Sequence, residues 1–206
     1  MPTTTYHRKD GQVVPSVTAI TNTLDKGRSL LHWAYSLGRS GQPLTQTEQF
    51  VQDAGTSLHA AIVDYLFGNL SPESMAAMRG LSSWEHFLSF QSRHELTPIW
   101  AEEHLVSERY HFGGTPDLLA VVDGKWTIVD FKSSKTVYTH HRIQVSAYKL
   151  LAEEAQWTVE QVAVLALGGA MDYDYQVVQN PDTYAEVFLS LLRARNLLED
   201  LGDRIQ

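Results

Sequence analysis

The chain has 206 residues, a net charge of −8, 43% hydrophobic and 19% charged residues, and no cysteine. That length fits one ordinary domain with a real core, and the missing cysteines exclude disulfides, thiolate zinc sites and Fe–S clusters. The acidic balance argues against a protein that coats nucleic acid along its whole surface. No apolar run reaches membrane-spanning length and no signal-peptide pattern opens the chain, so the expected setting is a cytoplasm, with no membrane partner.

In chain order, residues 1–15 read as a short hairpin entry turning at Asp10-Gly11. From Val17 to about Leu37 the spacing predicts a helix, with Ile20, Leu24, Leu31, Trp33 and Leu37 as its apolar positions and Gly27 as an interruption. A loop follows from Gly38 to Pro43. Thr45-Gln-Thr-Glu48 fits a capping box, opening a helix whose stripe runs Phe50, Val51, Ala54, Leu58, Ile62, Tyr65, Leu66 and stops near Gly68-Asn69. Ser71-Pro72 starts another helix, carrying Met75, Met78, Leu81, Trp84 and Leu88. Strands are expected near 99–106, 112–122 and 125–132, then a helix near 140–155, strands near 161–168 and 173–179, and a final helix from Asn180-Pro181. The expected fold is one α/β domain over 1–206: a mainly helical part over 1–95, a sheet with the chemistry over 96–179, and a C-terminal helix over 180–206.

The stretch DLLAVVDGKWTIVDFK, Asp117 to Lys132, holds the strongest local signal. Asp123-Gly124 between two apolar, β-branched runs predicts a two-residue type I′ hairpin. Val122 then pairs with Lys125, and stepping outward sets Asp117 across from Asp130 on one face, with Lys132 on that face too. Leu119, Val121, Trp126 and Ile128 complete that face, and Leu118, Ala120, Val122, Val129 and Phe131 make the other apolar as well. A sheet apolar on both faces needs helices on both.

Two carboxylates this close repel unless a cation lies between them, and a hard divalent ion such as Mg²⁺ or Mn²⁺ suits oxygen ligands. The plainer reading of the hairpin is a salt-bridged strand end in which Lys132 neutralises one aspartate. Around it stand Gly113-Gly114-Thr115-Pro116, whose glycines allow close backbone approach, and Glu102 or Glu103, of which strand alternation admits one to the site. Gln144 and Tyr148 share a helix face at i and i+4. His59 lies on an apolar stripe, where a histidine is more often a core residue than a ligand. From Phe131 to Ala152 there is no acidic residue, while Lys132, Lys135, His140, His141, Arg142 and Lys149 all fall there. An anionic substrate would approach that window, although basic residues on a helix are commonly solvated surface.

Taken together, Gly55-Thr-Ser-Leu-His59, Glu102, Gly114-Thr-Pro-Asp117, Asp130-Phe-Lys132 and Gln144-Val-Ser-Ala-Tyr148 resemble the RecB-type branch of the PD-(D/E)xK nuclease superfamily. Pro15-Ser-Val-Thr18 followed by Leu31-His-Trp33 is similar to phage exonucleases and the mitochondrial genome maintenance exonuclease. The resemblance spans about Tyr6 to Tyr148. Relatives that carry cysteines for an Fe–S cluster are excluded, and Asp130 stands where many members have glutamate.

The resemblance implies a restriction-endonuclease-like core, with a mixed, mostly antiparallel sheet between helices. It implies a Mg²⁺- or Mn²⁺-dependent DNA exonuclease acting at ends, on single strands, in recombination, repair or phage DNA processing. Asp117, Asp130, the Phe131 carbonyl and His59 would hold one or two ions. Glu102 is preferred to Glu103 by the spacing of Glu102 to Ser107, and would ligate or orient. Lys132 would orient the attacking water, and Gln144 and Tyr148 would position site and substrate. Ser133, Lys135, Arg142, Gln144 and Tyr148 would contact DNA, with Tyr138 or Trp33 offering a face to an unpaired base, although the spacing of Trp33 from Leu30 and Leu37 suits core packing better. A single-strand-binding or recombination protein is the expected partner. The alternatives are a structure-selective endonuclease and a non-catalytic DNA-end-binding module.

Overall fold

A computed structural model describes residues 4–24 and 57–202. The expected helix beyond Leu24, the Thr45–Glu48 box, Trp33 and the Gly55-Thr56 start of the histidine motif lie outside those residues.

The chain begins with a small hairpin, β1 (Tyr6–His7) against β2 (Val13–Val14), turned at Gly11 with φ of 84°. Helix α1 (Val17–Thr21) follows, capped by the Ser16 hydroxyl on the Ala19 N–H. It closes at Asn22, so the described part is a five-residue helix rather than the start of an unbroken run to residue 37. Helix α2 occupies 57–66 and stops at Gly68, whose φ of 73° suits glycine.

The single helix expected after Ser71-Pro72 is two: α3 (Pro72–Met78) and α4 (Ser82–Arg93). Gly80, at φ of 81°, turns the chain between them. The expected strand at 99–106 is likewise two, β3 (Leu96–Ala101) and β4 (Leu105–Ser107), because Glu102 takes a left-handed φ of 52°. The run at 112–122 breaks at Thr115-Pro116-Asp117 into β5 (Phe112–Gly114) and β6 (Leu118–Val122). Proline lacks the N–H that a ladder needs, so a break there is expected.

Strand β7 (Lys125–Lys132) pairs with β6 in the predicted register, Val122 with Lys125 and Leu118 with Val129. Asp123 and Gly124, at φ of 49° and 79°, are both left-handed, as a type I′ turn requires. Helix α5 (Thr139–Glu154) crosses over to β8 (Gln161–Ala166), which lies parallel to β7. Strand β9 (Asp174–Val177) and helix α6 (Pro181–Asp200) complete the described fold.

The main sheet runs β3-β6-β7-β8-β9, antiparallel except for the β7–β8 pair, while β4 and β5 form a separate ladder. Leu119, Ile128, Val162 and Val164 face a layer that includes Val17, Val145, Leu151 and Phe188 of α1, α5 and α6. Leu118, Ala120, Val129 and Phe131 face Leu58, Ile62, Trp84, Phe87 and Phe90 of α2 and α4. Helices therefore cover both faces, as the two apolar faces of the hairpin demand, and the fold is α/β with a mixed sheet.

Candidate active site

Strand β7 is the middle strand of the sheet, so a polar side chain near its end is buried by both neighbours. Asp130 is 1% exposed, and its Oδ2 lies 2.7 Å from the Lys132 ammonium. Its Oδ1 has no hydrogen-bond partner. Burial raises the Asp130 carboxyl, Lys132 pulls it down and Asp117 pushes it up again, leaving it at about 6. Burial disfavours the Lys132 ammonium, but Asp130 and Asp117 outweigh that and hold it above its ordinary range.

Asp117 sits in the break between β5 and β6 and keeps 19% of its side chain exposed. Its Oδ2 accepts the Phe131 N–H at 2.7 Å, which ties it to β7 beside Asp130. Burial pushes its carboxyl up to about 6, against the pull of Lys132 and that hydrogen bond, and Glu102 pushes further upward. The Glu102 charge is also felt at His59. Glu102 thus acts on the site, but alternation along a strand is not the reason: it lies in the kink after β3, where its N–H donates to the Asp117 carbonyl at 3.2 Å.

His59 arrives from α2 on the other side of Phe131, whose ring its own meets edge-on at 5.8 Å. Its Nδ1 is 3.6 Å from Asp117 Oδ2. Desolvation, then the Lys132 charge, lower it to about 4, so the imidazole facing Asp117 near neutral pH is uncharged. An uncharged imidazole is the form that binds a metal.

From α5, Gln144 donates its Nε2–H to the Tyr148 hydroxyl at 2.9 Å. Burial and then the two aspartates drive the Tyr148 phenol well above its usual value, so it stays a donor. Tyr148 reaches this depth because Gly114 has no side chain. A Cβ there would stand 2.8 Å from Tyr148 Cε1. Gly113 likewise admits Tyr6, whose hydroxyl meets Thr115 Oγ1 at 2.8 Å.

The fold therefore gathers His59, Glu102, Asp117, Asp130, Phe131, Lys132, Gln144 and Tyr148 at one end of the sheet. Ser133 and Lys135 are exposed in the loop that follows. Arg142 stands apart from the carboxylates, donating to Gln176 Oε1 on β9 at 2.6 Å. Thr115, part of the Gly114–Asp117 motif but given no role from the sequence, takes contacts from both the Tyr6 hydroxyl and His104 Nδ1 (2.7 Å).

Among the described residues no three His, Asp or Glu side chains stand close enough, as placed, to hold an ion together. The donor chemistry nonetheless fits a hard divalent cation. Two carboxylates and an uncharged imidazole converge, and a buried Asp130 oxygen lacks a partner.

A family model for the PD-(D/E)XK nuclease superfamily matches residues 74–206, more than half of the chain. The chain belongs to that superfamily, whose members are mostly nucleases, act on DNA and generally use divalent metals such as Mg²⁺. No curated protein matches the chain.

Proposed function

We propose that this protein is a Mg²⁺- or Mn²⁺-dependent exonuclease of the RecB-type branch, hydrolysing phosphodiester bonds at DNA ends, with a preference for single strands. The whole chain is taken as one nuclease domain, working in a cytoplasm in recombination, repair or phage DNA processing beside a single-strand-binding or recombination protein. The observation that carries the nuclease chemistry is Asp117 and Asp130 meeting at the end of β7 with an unpartnered Asp130 oxygen and Lys132 beside them. Exonuclease action and strand preference rest on the motif resemblance.

In this reading Asp117, Asp130, the Phe131 carbonyl and His59 hold the cation. When bound, it supplies Lewis acidity and a lowered pKa for water. Lys132 orients the water and offsets charge developing on the phosphoryl oxygens. Tyr148, kept protonated and fixed by Gln144, donates toward the phosphate, and Glu102 orients the metal-site side chains. Ser133 and Lys135 contact the backbone, and Arg142 adds positive field further along α5. Such contacts position a strand without reading its bases.

The test is cleavage of end-labelled linear DNA, single- and double-stranded, beside circular single-stranded DNA, with Mg²⁺ or Mn²⁺. An exonuclease degrades the linear strand and leaves the circle intact. Cutting of the circle would make the protein an endonuclease, and no cleavage of any substrate would leave a binding module. Lys132→Ala should abolish turnover while DNA affinity stays within a few-fold, because one lysine is a minor part of a phosphate track. Near-normal turnover in that variant would remove Lys132 from its role.

A further inference from the structure

The loop after Lys132 carries an aromatic side chain that the chemistry above does not use. Tyr138 is 44% exposed and is absent from both apolar layers, although Val137 next to it is buried in one of them. Tyr138 is the N-cap of the helix that carries Gln144 and Tyr148, which sets its exposed ring on the same element as two residues of the site.

Its surroundings hold it firmly. The Val137 N–H donates to Asp174 Oδ2 at 3.1 Å, and Thr136 Oγ1 donates to the same oxygen at 2.7 Å. The Tyr138 N–H donates to His141 Nδ1 at 3.2 Å, and the His141 ring meets the phenol edge-on at 5.4 Å. Downstream, the Gly168 N–H donates to the Ser134 carbonyl at 3.0 Å, and a Cβ on Gly168 would collide with the Ser133 carbonyl. The backbone that presents Tyr138 is thus fixed on both sides, which keeps the ordering cost of a contact small.

The ring beside it shapes the surface. His140 lies parallel to Tyr138, with an interplanar angle of 5° and centroids 5.8 Å apart. Stacked bases rise about 3.4 Å, so a base between the two rings would need roughly 6.8 Å. The gap is too narrow for that. An incoming base must lie against the outer face of the pair and extend it.

Position and charge point to the occupant. Tyr138 immediately precedes α5, and Gln144 is six residues further on, about 9 Å along the axis. That is two to three nucleotide rises from the site. From Phe131 to Ala152 the chain has no acidic residue, with Lys132 and Lys135 before Tyr138 and Arg142 between it and Gln144. The nearby Asp174 is occupied by Thr136, Val137 and Gln176.

We propose that Tyr138, backed by His140, is a stacking site for an unpaired nucleobase of single-stranded DNA, two to three nucleotides from the scissile phosphate. The proposal rests on the nuclease reading and adds where the strand is gripped. A duplex keeps its bases stacked on one another and gains nothing from such a face, so the site discriminates for single strands.

The test uses the full chain in EDTA, so that binding is read without cleavage. Fluorescence anisotropy follows three probes: labelled oligothymidylate, an abasic oligomer of the same length, and a blunt duplex. Tyr138→Ala should weaken oligothymidylate binding on the order of tenfold, with Tyr138→Phe close to wild type. Neither variant should change affinity for the abasic oligomer or the duplex, and both should melt close to wild type, since the side chain is exposed. Tyr138→Ala binding oligothymidylate within twofold of wild type would overturn the site, as would equal losses on the abasic strand. Wild type that binds no oligothymidylate in EDTA would overturn it too. Parallel cleavage with Mn²⁺ separates the two readings: an active wild type with an unaltered Tyr138→Ala sinks only the stacking site, whereas an inactive wild type sinks the nuclease.

Discussion

With 1% exposure, one oxygen unpartnered and the other on Lys132, Asp130 carries a charge that its surroundings penalise. Its folded carboxyl, at about 6, lies above its ordinary 3.8, so between those values the folded state holds more protons than the unfolded one. The stability it contributes is therefore greatest below about pH 4 and is lost as pH rises through about 6. Two units correspond to about 3 kcal/mol. Asp117 acts in the same sense, damped by its partial exposure. His59 acts oppositely: lowered to about 4, it favours the folded state more as pH rises toward 6.5. The whole-protein profile mixes these, so the Asp130→Asn difference reads the first together with the smaller shifts its charge imposes on His59 and Lys132. Urea unfolding in EDTA should show the gap between variant and wild type moving by about 2 kcal/mol in the variant's favour from pH 4 to pH 7.5. A constant gap would mean that Asp130 ionises as in water. For His59→Ala, a side chain 24% exposed at the layer edge, melting in EDTA should change by about 1 kcal/mol or less while Mn²⁺ affinity drops at least about tenfold. A variant that melts much earlier yet binds Mn²⁺ as well as wild type would return His59 to the core.

At the level of the element, what could be read from the sequence was whatever a local rule decides. Asp123-Gly124 sets the hairpin register, and that register carries Asp117 to the side of Asp130 and fixes which residues face each helical layer. The breaks at Glu102 and Gly80 were hidden for different reasons. A non-glycine residue at φ of 52° is held by tertiary contacts, here the Asp117 carbonyl, which no period or propensity encodes. A lone glycine in a helical stripe is tolerated at a cost of about 1 kcal/mol, so it does not by itself mark a break. The paired glycines of β5 were legible as close-approach positions, but not which ring would approach. Gly114→Ala tests that contact. Its Cβ would meet Tyr148 at 2.8 Å and both Leu151 and Val17 at 3.0 Å, so buried groups must shift. The expected cost is about 1–3 kcal/mol in urea unfolding, together with lost activity as Tyr148 moves. Gly124→Ala is the control: its Cβ meets open space, so only the positive φ is strained, at about 1 kcal/mol, with activity kept. Equal activity in the two variants would separate Tyr148 from the chemistry.

For the whole molecule, a charge of −8 must be reconciled with a polyanionic substrate. Long-range attraction cannot do it, because most of the surface repels DNA. The stretch without acidic residues from the end of β7 into the start of α5, where Lys132, Lys135 and Arg142 stand, offers the local positive charge. Lys149, in the same window, is neutralised by Glu153 and Asp182, each at 2.9 Å. Lys132 is likewise paired with Asp130 at 2.7 Å, so about two cations, Lys135 and Arg142, are left to face phosphates. For single strands each neutralised phosphate contributes about −0.7 to the slope of log K against log salt, so two give a slope of about −1.4. A protein that tracks DNA with a broad basic surface shows a far steeper dependence. Anisotropy titrations of oligothymidylate in EDTA across a range of salt should return that shallow slope, and Lys135→Ala should reduce its magnitude by about 0.7. A slope near −5 would mean that a larger basic surface elsewhere in the chain carries the strand. A slope unchanged by Lys135→Ala would take the loop after β7 out of the phosphate path.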